Sequence, residues 1–207
     1  MAINATNSST PRELIPAGNY IARCYQMLHI GTNLETIDGK TQLMNKVRIG
    51  WELPTEMKVF DEAKGEQPLV ISQEYTLSMN EKANLRKMLS SWRGKDFTEE
   101  QAKSFDITNL IGVPCMLNII HKPSKTGDKT YQNIGSVSPM PKGVPCPDQI
   151  NPKQVLQYDD FDTRLFDSLP DFIKNRVITS VEYKAMTIPH SNEMDNNSQD
   201  NNDDLPF

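Results

Sequence analysis

The sequence predicts a mainly β fold with helices: a five-stranded barrel, a C-terminal helical appendage and a disordered acidic tail. Three observations carry that expectation. Five stretches of β-branched and aromatic residues fall within residues 18–139, one strongly helical period separates the third from the fourth, and residues 191–202 hold one apolar side chain, Met194.

Taken in order, residues 1–17 are polar and read as a flexible leader. Residues 20–30 (YIARCYQMLHI) have strand character, and Asp38-Gly39 marks a turn in the polar stretch that follows. In residues 43–53, Val47, Ile49, Trp51 and Leu53 alternate with Lys46, Arg48, Gly50 and Glu52, a half-buried strand with a basic outer face. Residues 54–68 are a charged connection, and residues 69–79 (LVISQEYTLSM) form the third strand. The period then changes. Asn80 is placed to cap a helix whose stripe is Ala83, Leu85, Met88, Leu89 and Trp92, with Gly94 to end it. Thr98-Glu99-Glu100 starts a short second helix, and residues 113–122 and 131–138 read as strands four and five. Three strands, a helix and two strands is the succession of an OB-fold, a small Greek-key barrel. Another α+β domain could use the same succession.

Residues 140–158 form a Pro-rich linker, of which residues 140–153 cannot continue a sheet, and residues 159–188 form the helical appendage. There Ser168 and Asp171 resemble a capping box, and Leu169, Phe172, Ile173, Val177 and Val181 share a face expected to pack on the barrel. Residues 189–207 are the acidic tail.

A chain of 207 residues suits one domain with appendages. No apolar run approaches the roughly 18 residues that span a bilayer, and the start lacks the pattern of a secretory signal, so a cytoplasmic protein without membrane partners is expected. Cys24, Cys115 and Cys146 are odd in number and far apart, as are His29, His121 and His190. Reduced thiols are expected, with no metal and no cofactor. The net charge of −5 is concentrated: Glu193, Asp195, Asp200, Asp203 and Asp204 lie in the tail, and without them acids and bases balance at 22 each. A low pI therefore does not exclude a nucleic-acid partner.

Binding single strands without sequence preference needs cations along a phosphate track and rings on which bases stack. On an OB barrel the usual surface is strands two and three with neighbouring loops. The candidates are Arg23, Lys46 and Arg48 on outward strand positions, His121 and Lys122 at the end of strand four, Lys125 and Lys129 in the following loop, and Tyr25 and Tyr131 as stackers. Trp51, Tyr75 and Trp92 fit the apolar pattern and are expected in the core.

The last residues, Asp203, Asp204, Leu205, Pro206 and Phe207, place a ring and a free carboxylate on one terminal residue. A partner pocket could bury the ring and clamp the carboxylate with Arg or Lys, while Pro206 limits the ordering cost. This ending resembles the acidic tip of bacterial single-stranded DNA-binding proteins, in which two acids, an aliphatic residue, Pro and Phe close the chain. NEKANLRKML, SWRGKDFTEE and GSVSPMPKG further resemble phage and prophage proteins thought to replace the host's DNA-coating protein, over roughly residues 15–145. The resemblance implies non-catalytic binding and protection of single-stranded DNA in replication, recombination and repair. It also implies that the tip recruits helicase, nuclease or primase-type proteins, with a homo-oligomer possible. Two other readings stay open: a protein-interaction scaffold without DNA binding, and a phage DNA-processing enzyme.

Overall fold

The computed structural model describes residues 13–124 and 126–187. Its chain forms β1 (Gly18–Ile37), β2 (Lys40–Asp61), β3 (Gly65–Thr76), α1 (Asn84–Arg93), α2 (Glu99–Ser104), β4 (Pro114–Pro123), β5 (Thr130–Ser138), β6 (Gln154–Leu156), α3 (Thr163–Ser168), α4 (Asp171–Ile178) and α5 (Val181–Thr187). The five long strands make one strongly curled antiparallel sheet in the order β3-β2-β1-β4-β5, and β6 adds in parallel to β1. Among the described residues β3 and β5 share no backbone ladder. One hydrogen bond, from the Ile134 N–H to the Gln73 side-chain carbonyl (3.2 Å), crosses the seam between them.

The concave face holds the main core: Cys24, Met27, Ile49, Trp51, Leu53, Ile71, Tyr75, Leu117, Ile119 and Val137 meet Leu85, Met88, Leu89 and Trp92 of α1. Trp51, Tyr75 and Trp92 are core residues as expected, and the two indoles lie 5.9 Å apart. Burial pushes the Cys24 thiol up to about 12, so it stays protonated at neutral pH.

The strands run longer than their apolar patterns suggested. β1 and β2 continue as a two-stranded ribbon to a turn at Asp38 and Gly39, both at positive φ, which suits a tight hairpin. Residues 54–68 are not a loose connection, since Met57–Val59 pair with Glu66–Pro68 in a second hairpin. Backbone pairing and polar side-chain contacts rather than apolar burial sustain both ribbons, so Leu34 and Leu43 sit opposite each other yet stay 69% and 64% exposed.

Helix starts also differ. Asn80 caps a turn by accepting from the Lys82 N–H, and α1 begins four residues later behind Ala83, which makes no side-chain cap. Gly94 ends α1 at φ 69° and α2 starts behind Thr98, both as read from sequence, and Thr98 forms a capping box with Gln101. The Ser168 hydroxyl turns back to the Leu165 carbonyl, so α4 starts from Pro170 without a capping box.

The appendage is bound firmly to the sheet. Leu28 and Ile30, on the outer face of β1, form a second core with Leu156, Phe166, Leu169, Ile173 and Val177. Phe172 and Val181, expected on that buried stripe, are instead 58% and 52% exposed, because the segment breaks into separate helices. Gly31 permits the closest approach. It sits at φ +84° in a β-bulge, and a Cβ there would lie 2.6–2.7 Å from the Tyr158 hydroxyl, Glu182 Oε2 and Ser180 Cβ.

The Pro-rich linker is also held. Arg23 and Glu52 are cross-strand neighbours on the outer face. Arg23 donates to the carbonyls of Gly112 (2.6 Å) and Pro147 (2.7 Å), while fully buried Glu52 accepts from the N–H groups of Ile150 (2.8 Å) and Asn151 (2.7 Å) and from the Asn151 amide (2.7 Å). Among the described residues no helix is long and apolar enough to cross a membrane.

Candidate nucleic-acid interface

Strand β3 borders a chain of depressions. At its start, Leu69 and Val70 line a hollow of about 260 Å³ with Phe60, Lys58 and Gln132. Next, Val70, Ile71 and Ser72 join Tyr25, Gln26, Arg48, Gln132 and Phe172 around about 410 Å³. Finally, Gln73 to Thr76 and Ser78 line the largest hollow, about 740 Å³, with Lys46, Lys82 and Lys87. Val70 and Gln132 belong to both of the first two, and Ser72 and Gln73 join the second to the third. At about 3.3 Å per residue, Leu69 to Thr76 spans roughly 25 Å of strand. The largest hollow lies in the seam between β3 and β5, where the curled sheet fails to close and α1 supplies Asn84, Lys87 and Ser91.

The middle depression is shaped by the backbone. Tyr25 is the extra residue of a β-bulge between Cys24 and Gln26, and bulges re-aim side chains. Opposite it, Gly50 has no side chain; a Cβ there would lie 3.1 Å from Gln26 and 3.5 Å from the Tyr25 ring. Burial raises the Tyr25 phenol, Glu52 adds to the rise and Arg48 opposes it, so the ring stays neutral at pH 7. Arg48 donates to Ser72 Oγ (2.6 Å) and Glu74 (3.4 Å), and its guanidinium lies 5.5 Å from the centre of the Phe172 ring. Glu74 also pairs with Arg176, which pairs with Glu35, so this network ties α4 to the sheet.

The residues expected from sequence divide accordingly. Tyr25, Lys46 and Arg48 lie on the outer face and meet along the cleft, although Arg48 is already matched by Glu74 and Lys46 donates to Thr76 (3.0 Å). Arg23 shares that face but is committed to linker carbonyls, because residues 146–151 cross over it. Lys122 and Tyr131 form an exposed cross-strand pair at the end of the β4–β5 hairpin. His121 instead bonds the Ile15 carbonyl (2.7 Å), and Gln132 accepts from the Ile15 N–H (2.9 Å). The final residues of the expected leader are thus pinned under the hairpin, with Ile15 buried.

Lys129 is exposed, and its loop is an organised turn: the Ser124 N–H donates to the Lys129 carbonyl (2.7 Å). Hydrogen bonds from the Ser124 and Thr126 hydroxyls hold the Asp128 carboxyl below its usual range. Lys125 and the tip residues Asp203, Asp204, Leu205, Pro206 and Phe207 lie outside the described residues.

Sequence reasoning missed Lys82, Lys87 and Phe172. A signal for the groove was present, since Asn84, Lys87 and Ser91 follow an i, i+3, i+7 spacing opposite the apolar stripe of α1. Phe172 had no such signal, because its exposure depends on where α3 ends and α4 begins. Among the described residues no three His, Cys, Asp or Glu side chains gather as a metal-holding group. Comparison with known protein families finds no match, and neither a curated protein nor a solved structure is significantly similar to the chain.

Proposed function

We propose that the chain is a non-catalytic, sequence-independent single-stranded DNA-binding protein built on an OB-type barrel, with a C-terminal tip that recruits replication and recombination proteins. The strand order and the helix between the third and fourth strands support the barrel reading. One observation carries the DNA reading: the cleft along β3 joins rings (Tyr25, Phe172, Phe60) to lysines (Lys46, Lys82, Lys87). Stacking platforms beside a basic track are what single strands require. The exposed pair Lys122 and Tyr131, with Lys129, extends the basic and aromatic surface at the far end of β5. The tip resemblance supports recruitment of helicase, nuclease or primase-type partners, and the phage resemblance supports a bacterial host cytoplasm as the location.

The test is a fluorescence-polarisation titration with oligothymidylate across salt concentrations. Affinity falls as salt rises, with a slope of about −0.7 per phosphate contact on single strands. The combined Lys46→Ala, Lys82→Ala and Lys87→Ala variant lowers affinity and makes the slope shallower by about 2. A chain ending at Asn202 keeps DNA binding and loses helicase or nuclease capture on coated DNA. Failure to bind oligothymidylate in dilute buffer overturns the DNA reading and favours the scaffold.

A further inference from the structure

The geometry points to a nucleobase-stacking subsite between the sheet and the helical appendage, with Tyr25 on one side and Phe172 on the other. It rests on the DNA-binding reading and adds that the appendage is part of the binding surface rather than only a brace. The two rings line one depression of about 410 Å³, within the range of small-molecule sites. Its polar groups are uncharged amides and hydroxyls (Gln26, Gln132, Gln154, Ser72) apart from Arg48. That composition suits a flat, neutral, polar-edged ring better than a phosphate, whose natural place is the lysine-lined hollow beside it.

Several features hold this subsite ready. The bulge aims Tyr25, the missing side chain at Gly50 lets Gln26 and the Tyr25 ring pack close against the strand, and Ser72 fixes the Arg48 guanidinium. Phe172 is the conspicuous member. It is 58% exposed on a helix whose other large apolar groups in the second core, Ile173 and Val177, are buried, and Arg48 lies over its ring. A phenyl group left in water beside a guanidinium is poised to gain stacking area when a base enters.

The experiment uses the full chain and oligothymidylate carrying 5-iodouracil in place of thymine. After irradiation, adducts map to Tyr25 or Phe172. Phe172→Ala weakens oligothymidylate binding by roughly tenfold or more, as loss of one stacked base requires, while Phe172→Trp retains it. Both variants melt like the parent, since the ring is largely in solvent. Parent-like affinity of Phe172→Ala, with adducts confined to other residues, overturns the subsite and leaves the DNA reading standing. Absence of any oligothymidylate binding by the parent removes both.

Discussion

Glu52→Ala tests whether the Pro-rich linker is part of the folded body. The carboxylate is fully buried and accepts three hydrogen bonds, from the Ile150 and Asn151 N–H groups and the Asn151 amide, at 2.7–2.8 Å. A hydrogen bond to a charged group contributes about 1.5–3 kcal/mol, so the gross loss is about 4–9 kcal/mol. Two effects reduce it. Ile150 is 49% exposed, so freed donors regain water, and deleting the carboxylate removes its own burial cost. About 3 kcal/mol remains, a large part of the 5–15 kcal/mol typical of a domain. With a urea m-value of about 2–3 kcal/mol/M, the unfolding midpoint drops by about 1–1.5 M. Protease cleavage within residues 140–153 accelerates in parallel. Arg23→Ala combined with Glu52→Ala is non-additive, because both residues grip one strap. A Glu52→Ala midpoint within about 0.2 M of the parent, with unchanged cleavage, refutes this account of the linker.

Two further outcomes concern the appendage. Gly31→Ala combines left-handed strain with three contacts of 2.6–2.7 Å, and costs about 3 kcal/mol. This lowers the melting temperature by roughly 6–12 °C, and an unchanged melt contradicts the close approach. Glu182 is the acid-sensitive contact. Burial raises its pKa, but hydrogen bonds from the Thr32 hydroxyl and N–H outweigh that and leave it lowered. A carboxyl depressed on folding stabilises fully above its unfolded value near 4.3, and the contribution fades as pH falls through the folded value. Protection factors across residues 160–187, corrected for the intrinsic pH dependence of amide exchange, should therefore fall below about pH 4, and Glu182→Gln should abolish the difference.

The barrel strands were legible because Val47, Ile49, Trp51 and Leu53 alternate with polar neighbours, and α1 because its apolar stripe is strongly periodic. The hairpin ribbons were not legible. Their stability comes from backbone pairing and polar contacts such as Thr32–Glu182 and Glu35–Arg176, which leave no apolar alternation on stretches such as residues 31–42. Sidedness was also readable: Arg23, Lys46 and Arg48 do face away from the core. What covers that side was not. The contact of Arg23 with Pro147 and that of Arg48 with Phe172 join residues more than a hundred positions apart, and no local pattern encodes such meetings. For the same reason the cleft itself was invisible, since it exists only where β3 and β5 fail to meet and where α4 lies against the sheet.

That unmet seam has a cost outside ligand binding. Two strands with unsatisfied outer hydrogen-bonding groups invite a neighbouring chain to add to them, the usual start of aggregation. Here Gln73 already caps Ile134, and Lys46, Lys82 and Lys87 surround the opening with positive charge. The same ammonium groups that suit a phosphate backbone therefore act as gatekeepers against self-stacking. Neutralising them should make the protein stickier as well as weaker in the proposed DNA binding, so that solubility and the proposed role meet at one edge of the sheet.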